Sequence, residues 1–216
     1  PLRLVGSEMC IRDRPSDRLI FDRPISGTEI ASYFHTGGTT GAPKLAQHTH
    51  RRQVLNVCQM QITGPRGKEK NEFADCDIIL CTLPLFHVNA VFVTSLNAIV
   101  GAGQVVLAGP NGFRNPQLIH DFWHLVEKYK VTFFAAVPTI YATLLDQPMT
   151  DIDTSSLINC GCGAAPMPVS LIDNFARNTG ADIMEGYGMT ETIAAASTHY
   201  VYGDRKVGSV GMRLPY

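Results

Sequence analysis

The chain has 216 residues, a net charge of −1 and 45% hydrophobic residues. That length and apolar content suffice for one large globular domain, or a piece of a larger one, with a sizeable core. The near-zero charge, without any stripe of Lys/Arg interleaved with aromatics, argues against nucleic acid as a partner, and no apolar run reaches the ~18 residues expected of a membrane-spanning helix. The six cysteines, at positions 10, 58, 76, 81, 160 and 162, mostly sit inside apolar runs such as Ile78-Ile79-Leu80-Cys81. That pattern fits reduced, buried thiols in a cytoplasmic protein better than a disulfide framework. Cys160-Gly161-Cys162 has the wrong spacing for a zinc knuckle, and no second pair answers it. No secretory apolar segment opens the chain.

Residues 1–24 stand apart. Arg3, Arg12, Arg14, Arg18 and Arg23 crowd them, and neither a strand nor a helix period survives there. The string from Leu4 to Arg14 resembles a translated sequencing-adaptor read-through more than native protein. Residues 1–24 are therefore expected to be a non-native or disordered leader. From residue 31 the pattern is regular. Ala31–Phe34 reads as a short strand feeding the run Thr36-Gly37-Gly38-Thr39-Thr40-Gly41-Ala42-Pro43-Lys44. Gln47–Ile62 reads as a helix, with Val54, Leu55, Val57, Cys58 and Ile62 near helical spacing. Gly64–Asp75 is a charged loop. Asp77–Leu83 is a continuous apolar run of the kind found in buried parallel strands. Val88–Val100 is a mostly apolar helix stopped by Gly101 and Gly103. Gln104–Ala108 is a strand, and Gly109-Pro110-Asn111-Gly112 a turn. Pro116–Tyr129 is a helix and Val131–Ala135 a strand. Pro138–Leu145 is a helix with proline in its first turn. Leu157–Cys160 is a strand, Pro168–Asn178 a helix and Asp182–Glu185 a strand.

Strands alternating with helices of these lengths predict an α/β fold with mainly parallel sheets flanked by helices. In such sheets ligands sit beyond the carboxyl ends of strands. Three glycine-rich clusters fall at those ends: Thr36–Gly41, Gly161–Pro166 and Gly186–Glu191. The first is chemically the richest. Its glycines let the backbone approach a ligand closely, and concave rows of N–H groups favour anions. The spacing is not that of the common P-loop, because Pro43 precedes Lys44 and Leu45 follows it. Alone, such a Gly/Thr run reads as a plain turn.

Four motifs in order change that reading: Thr36–Lys44; Pro84-Leu85-Phe86-His87; Gly163-Ala164-Ala165-Pro166; and Glu185-Gly186-Tyr187-Gly188-Met189-Thr190-Glu191. Together they resemble the adenylate-forming superfamily, which includes acyl-CoA synthetases, 4-coumarate–CoA ligase, firefly luciferase and peptide-synthetase adenylation domains. The resemblance covers roughly residues 31–216. It implies that residues 25–216 are part of the large AMP-binding (adenylation) domain. The implied reaction joins a carboxylic acid to AMP with release of pyrophosphate, then passes the acyl group to coenzyme A. Carried over, Thr36, Gly37, Gly38, Thr39, Thr40 and Gly41 would wrap the β- and γ-phosphates of ATP. Thr36 and Glu191 would hold Mg²⁺, which favours hard oxygen ligands. Thr190 would meet the α-phosphate, where charge develops. Tyr187, within Glu185-Gly186-Tyr187-Gly188-Met189, would stack on adenine, with Gly163, Ala164, Ala165 and Pro166 as the opposite wall. Lys44 would order the phosphate loop rather than do the adenylation chemistry. His87 would stand beside the acid's carboxylate.

Val88, Asn89, Ala90, Gly161, Gly163, Met189 and Val137-Pro138-Thr139 are candidates for the acyl pocket. Their small, apolar character suits a fatty or aryl acid, and no Asp falls where a substrate ammonium would need one. His48 and His50 flank the expected start of a helix, as caps or solvated groups. His120 and His124 have zinc-ligand spacing on one helix but lack a third ligand, and read as an exposed face. Two features depart from the family's pattern. Gly37 stands where the family commonly has Ser. The stretch Gly208–Tyr216 resembles the one just before the family's ribose-binding Asp, so the chain is expected to be a fragment without the small C-terminal domain and its lysine, and inactive alone. The competing readings are a peptide-synthetase or luciferase-like adenylation domain and a non-catalytic nucleotide-binding module. The sequence names neither the acid nor an oligomeric state.

Overall fold

The computed structural model describes residues 23–36, 44–63, 77–200 and 203–215. The residues before 23, with the expected leader among them, and the loops 37–43 and 64–76 lie outside the described residues. Strand β1 (Ile30–Thr36) does not join a parallel sheet. It pairs antiparallel with β2 (Lys44–Thr49), in the register Phe34↔Ala46, His35↔Leu45, Thr36↔Lys44. The ladder thus pins both ends of the Gly/Thr loop. Helix α1 (His50–Thr63) begins three residues later than the sequence pattern predicts. Cross-strand pairing with β1 takes Gln47, His48 and Thr49, overriding their helical periodicity. Thr49 then caps the helix, its Oγ1 accepting from Arg52 N at 3.4 Å.

The main sheet follows: β3 (Ile78–Cys81), a π-helical stretch Asn89–Leu96 continuing into α2 (Asn97–Val100), and β4 (Gln104–Leu107). Helices α3 (Pro116–His120) and α4 (Phe122–Tyr129) precede β5 (Phe133–Ala136), α5 (Pro138–Leu145) and β6 (Asn159–Cys162). Helix α6 (Val169–Thr179) leads into β7 (Asp182–Gly188), which is followed by β8 (Ala195–Thr198) and β9 (Met212–Arg213). The strand order is β4-β3-β5-β6-β7-β8-β9. Pairs from β4 to β7 are parallel; β7–β8 and β8–β9 are antiparallel. The mainly parallel α/β architecture is as the sequence predicts. The antiparallel edge is not, because Ala195-Ala196-Ser197-Thr198 has neither the apolar run nor the alternation that marks a strand.

Two further helices differ from expectation. The expected helix Pro116–Tyr129 breaks at Asp121, which adopts φ −91 and ψ 2. His120 pairs there with Asp121, Nδ1 donating to Oδ1 at 2.8 Å, and His124 belongs to the next helix. The apolar helix from Val88 is π-wound through Leu96. Among the described residues no helix is long and apolar enough to cross a membrane.

The core lies chiefly on one face of the sheet. Phe122, Trp123, Phe134, Tyr141 and Phe175 are buried there, with Phe134 edge-on to Phe122 at 4.8 Å. Trp123 Nε1 donates to the Leu144 carbonyl at 2.8 Å and Tyr141 OH to the Gly161 carbonyl at 2.7 Å, so neither polar tip is stranded. A smaller cluster of Val57, Met60, Phe92, Ile193, Ala194 and Leu214 joins α1 and the π-helical stretch to the segment after β7. Helix α1 buries Val57 and Met60, whereas Val54 and Leu55, predicted to line its apolar face, are 58% and 49% exposed. Phe134 touches Phe122, Tyr141 and Phe175. Phe134→Ala is expected to cost about 3–5 kcal/mol, seen as a lower urea midpoint at unchanged slope.

Candidate active site

The two glycine-rich segments after β6 and within β7 meet side by side. A Cβ built on Gly163 would lie 3.5 Å from the Gly186 carbonyl, and one on Gly186 would lie 3.1 Å from the Ser197 carbonyl. At Gly188 a Cβ would fall 1.6 Å from the Ala194 carbonyl, so only glycine allows this approach. Ala164 takes φ +70, a left-handed conformation that turns the chain sharply away from β6. Behind it sits Glu185, 8% exposed. Its Oε1 accepts from Met167 N at 3.4 Å and its Oε2 from Gly208 N at 2.8 Å. Glu185 thus buttresses the Gly163–Pro166 loop from the side away from the cavity described below.

The Thr190–Thr192 segment is one turn of 3₁₀-helix. Met189 N donates to Thr192 Oγ1 at 3.1 Å, and Thr192 Oγ1 donates to the Met189 carbonyl at 3.0 Å. Ile193 follows at φ 75 and ψ −72, a conformation adverse to a β-branched residue, and is 5% exposed within the smaller core. The turn packs against both β1 and β2. The tie is His48: its Nε2 donates to the Thr190 carbonyl at 2.7 Å. A carbonyl only accepts, so Nε2 carries the proton. His48 is 1% exposed and stacks on Phe34 at 5.2 Å. Reading it as a helix-start cap missed this role. The signal lay in its alternation with Ala46 along β2, visible only once that segment is known to be a strand.

Thr36 and Lys44 face each other at the open end of the hairpin, Thr36 Oγ1 donating to the Lys44 carbonyl at 3.4 Å. Gly37, Gly38, Thr39, Thr40 and Gly41 lie outside the described residues. Glu191 and Lys44 are exposed. His87 clusters with Phe86 (4.6 Å) and with His35 (6.4 Å), a residue sequence reasoning did not single out. Burial, followed by the neighbouring charges of His35 and Arg114, lowers the His87 pKa from its ordinary value and favours the neutral ring.

A cavity of about 390 Å³ adjoins these elements. Gly163, Ala164, Gly186, Tyr187, Gly188, Met189 and Thr190 border it, as do the acyl-pocket candidates Val88, Asn89 and Gly161. Ala165, Pro166, Glu185 and Glu191 do not, nor do Thr36, Lys44 and His87 on the hairpin side; neither do Ala90 and Val137-Pro138-Thr139. Tyr187 is 50% exposed, its ring open for stacking.

A model of the family described as AMP-binding enzyme matches residues 8–216. The chain belongs to the AMP-binding enzyme family. Its relatives include the marinolic acid–CoA ligase of Pseudoalteromonas sp. (strain SANK 73390), 56% identical over 95% of this chain and 31% of that protein. The long-chain-fatty-acid–CoA ligase of Bacillus subtilis (strain 168) is 29% identical over 95% of this chain and 35% of its own length. Among solved structures, ATP-bound MatB from Rhodopseudomonas palustris matches with a TM-score of 0.71 at 28% identity, covering 90% of this chain and 35% of that one. The o-succinylbenzoate coenzyme A synthetase of Bacillus subtilis, in complex with ATP and magnesium ion, matches with a TM-score of 0.69 at 26% identity, covering 88% and 37%. The AMP-binding segment seen here thus spans about a third of the length of these relatives.

Two outcomes follow from this geometry. His48→Leu strands the Thr190 carbonyl and is expected to lower stability by about 1–3 kcal/mol, read in urea unfolding. Burial, reinforced by the Glu185 carboxylate, pushes the Cys162 thiol from 9.0 up to about 11. The unfolded thiol ionises first, so this contribution to stability is intact below pH 9.0 and is lost between there and about 11. Cys162→Ala should flatten the alkaline side of a stability–pH profile across that window.

Proposed function

We propose that this chain is the ATP-side core of an acid–coenzyme A ligase, a larger enzyme that adenylates a carboxylic acid and then transfers the acyl group to the coenzyme A thiol. One observation carries the reading: His48 ties the Thr190–Glu191 turn, whose Thr190 borders the cavity, to the hairpin whose open end is Thr36 and Lys44. The bond supports a single site in which the phosphate, metal and base ligands, far apart in sequence, would act together.

The residues present fit ATP and Mg²⁺. Gly163, Gly186 and Gly188 border the cavity with bare backbone beside the half-exposed Tyr187 ring, an arrangement that suits a flat purine. Glu191 is exposed and forms no ion pair among the described residues, leaving a hard carboxylate to join the Thr36 hydroxyl as metal ligands. When bound, Mg²⁺ would neutralise the phosphate charge that builds up as pyrophosphate departs. Residues 36–41 would supply backbone N–H groups and hydroxyls to the β- and γ-phosphates, and Lys44 would order that loop. The Thr190 side chain meets the α-phosphate, where attack by the acid's carboxylate concentrates charge. His87, its pKa lowered towards the neutral form, stands beside the carboxylate without trapping it in a permanent ion pair. Gly163 and Ala164, on the loop buttressed by Glu185, are the second wall of the base slot. The mainly apolar cavity takes a fatty or aryl acid. CoA-ligase relatives favour thioester formation over a peptide-synthetase outcome. The unpaired thiols of Cys58, Cys81, Cys160 and Cys162 fit a cytoplasmic setting.

The test is acid-dependent pyrophosphate release by the full-length enzyme with Mg·ATP, followed by acyl-CoA formation. Glu191→Ala should weaken Mg·ATP binding at least about tenfold, the equivalent of ~1.4 kcal/mol, with little change in unfolding midpoint. The 216-residue chain alone is expected to release pyrophosphate at least ~10²-fold more slowly than an intact relative. Undiminished binding in Glu191→Ala, or release without any acid, contradicts the reading.

A further inference from the structure

The cavity has a polar far end. Along its floor Phe133 and Ala135 of β5, Asn159 and Gly161 of β6, and Met184 and Gly186 of β7 face the space, while Phe134, Cys160 and Ile183 face the opposite core. Asn159 stands four residues before Gly163, about 13 Å along a strand that rises ~3.3 Å per residue. It is therefore remote from the nucleotide slot. Its side chain is only 4% exposed, and Nδ2 has no hydrogen-bond partner.

Other polar side chains at that end are already engaged. Thr132 Oγ1 accepts from Ile78 N at 2.9 Å and donates to the Ile78 carbonyl at 3.2 Å. Thr63 Oγ1 donates to the Met60 carbonyl at 2.9 Å, and Asn97 Oδ1 accepts from Gln61 Nε2 at 2.7 Å. On the helical wall of the same cavity, Asn89 Oδ1 is also buried without a partner. A buried amide donor is costly to leave unpaired. The same end is also lined by Asp77, which is engaged with a neighbour, and by the apolar side chains of Met60, Ile79, Phe133 and Met184.

We propose that this end selects a carboxylic acid with an oxygen on its tail. Such an acid carries a hydroxyl, ether or carbonyl oxygen, set among methylenes well away from the carboxyl group. The oxygen accepts from Asn159 Nδ2. A plain hydrocarbon tail fills the same space but leaves the amide unpaired. A site built around a hydrogen bond discriminates far more strongly than one built around a missing methylene. The proposal rests on the reading of the cavity as the acyl site of a ligase.

The experiment compares acids of equal length on the unaltered full-length enzyme: hexadecanoate against a series of monohydroxylated hexadecanoates, scored by pyrophosphate release. One or two hydroxyl positions should raise kcat/KM at least about tenfold, mainly through KM. In Asn159→Leu that preference should collapse while KM for ATP stays unchanged. The comparison on the unaltered enzyme stands even if that variant does not fold. Equal kcat/KM across the series overturns the inference and leaves the ligase reading intact. No release with any acid overturns the ligase reading, and the inference with it.

Discussion

His48 donates to the Thr190 carbonyl across a separation of 142 residues. Among the described residues the β1–β2 hairpin forms a sheet of its own and shares no strand pairing with the seven-stranded sheet. A lone hairpin is marginal in water. Here it gains a fixed position because His48 reaches the turn that follows β7, while Phe34 and Phe92 press on the imidazole at 5.2 and 5.9 Å. The buried ring leaves Nδ1 without a partner, so the one bond made by Nε2 carries the polar satisfaction of the group. Everything that reads as a phosphate or metal contact lies on one or other side of that bond.

The main sheet divides labour between its faces. One face is filled by interlocking aromatics, with Trp123 and Tyr141 spending their polar tips on backbone carbonyls. The other is kept open by small residues: Ala135 and Gly161 are register neighbours, and Gly163 and Gly186 extend the gap towards the strand ends. A Cβ at Gly161 would come within 2.9 Å of the Phe133 ring, so the groove floor is already at contact distance there. Rigidity on one side and space on the other are what a binding site on a parallel sheet requires.

The sequence revealed the parallel strands because Ile78–Cys81 and Phe133–Ala136 are apolar on both faces, and revealed the glycine clusters because such residues punctuate the chain. It concealed whatever depended on pairing. Gln47, His48 and Thr49 carry helical periodicity and became strand only through β1. Ala195–Thr198 carries no period at all and is a strand only because β7 continues to Gly188 beside it. Glu185 looked like one more member of a motif, and its two backbone partners, Met167 and Gly208, are invisible without the fold. The candidate site residues were legible as a set through their order along the chain. Their partition into cavity wall, rim and buttress was not.

Ile193 has a consequence for timing. A β-branched residue at φ 75 and ψ −72 is under torsional load, of order 1–3 kcal/mol. The load is sustained by Val57, Phe92 and Leu214, which grip the side chain from three separate segments. The adjoining Thr190–Thr192 turn is therefore shaped when the protein folds. The Thr190–Thr192 turn is thus a tensioned fixture whose ordering is accomplished before anything binds, and loosening the grip of that small core would slacken it at a distance.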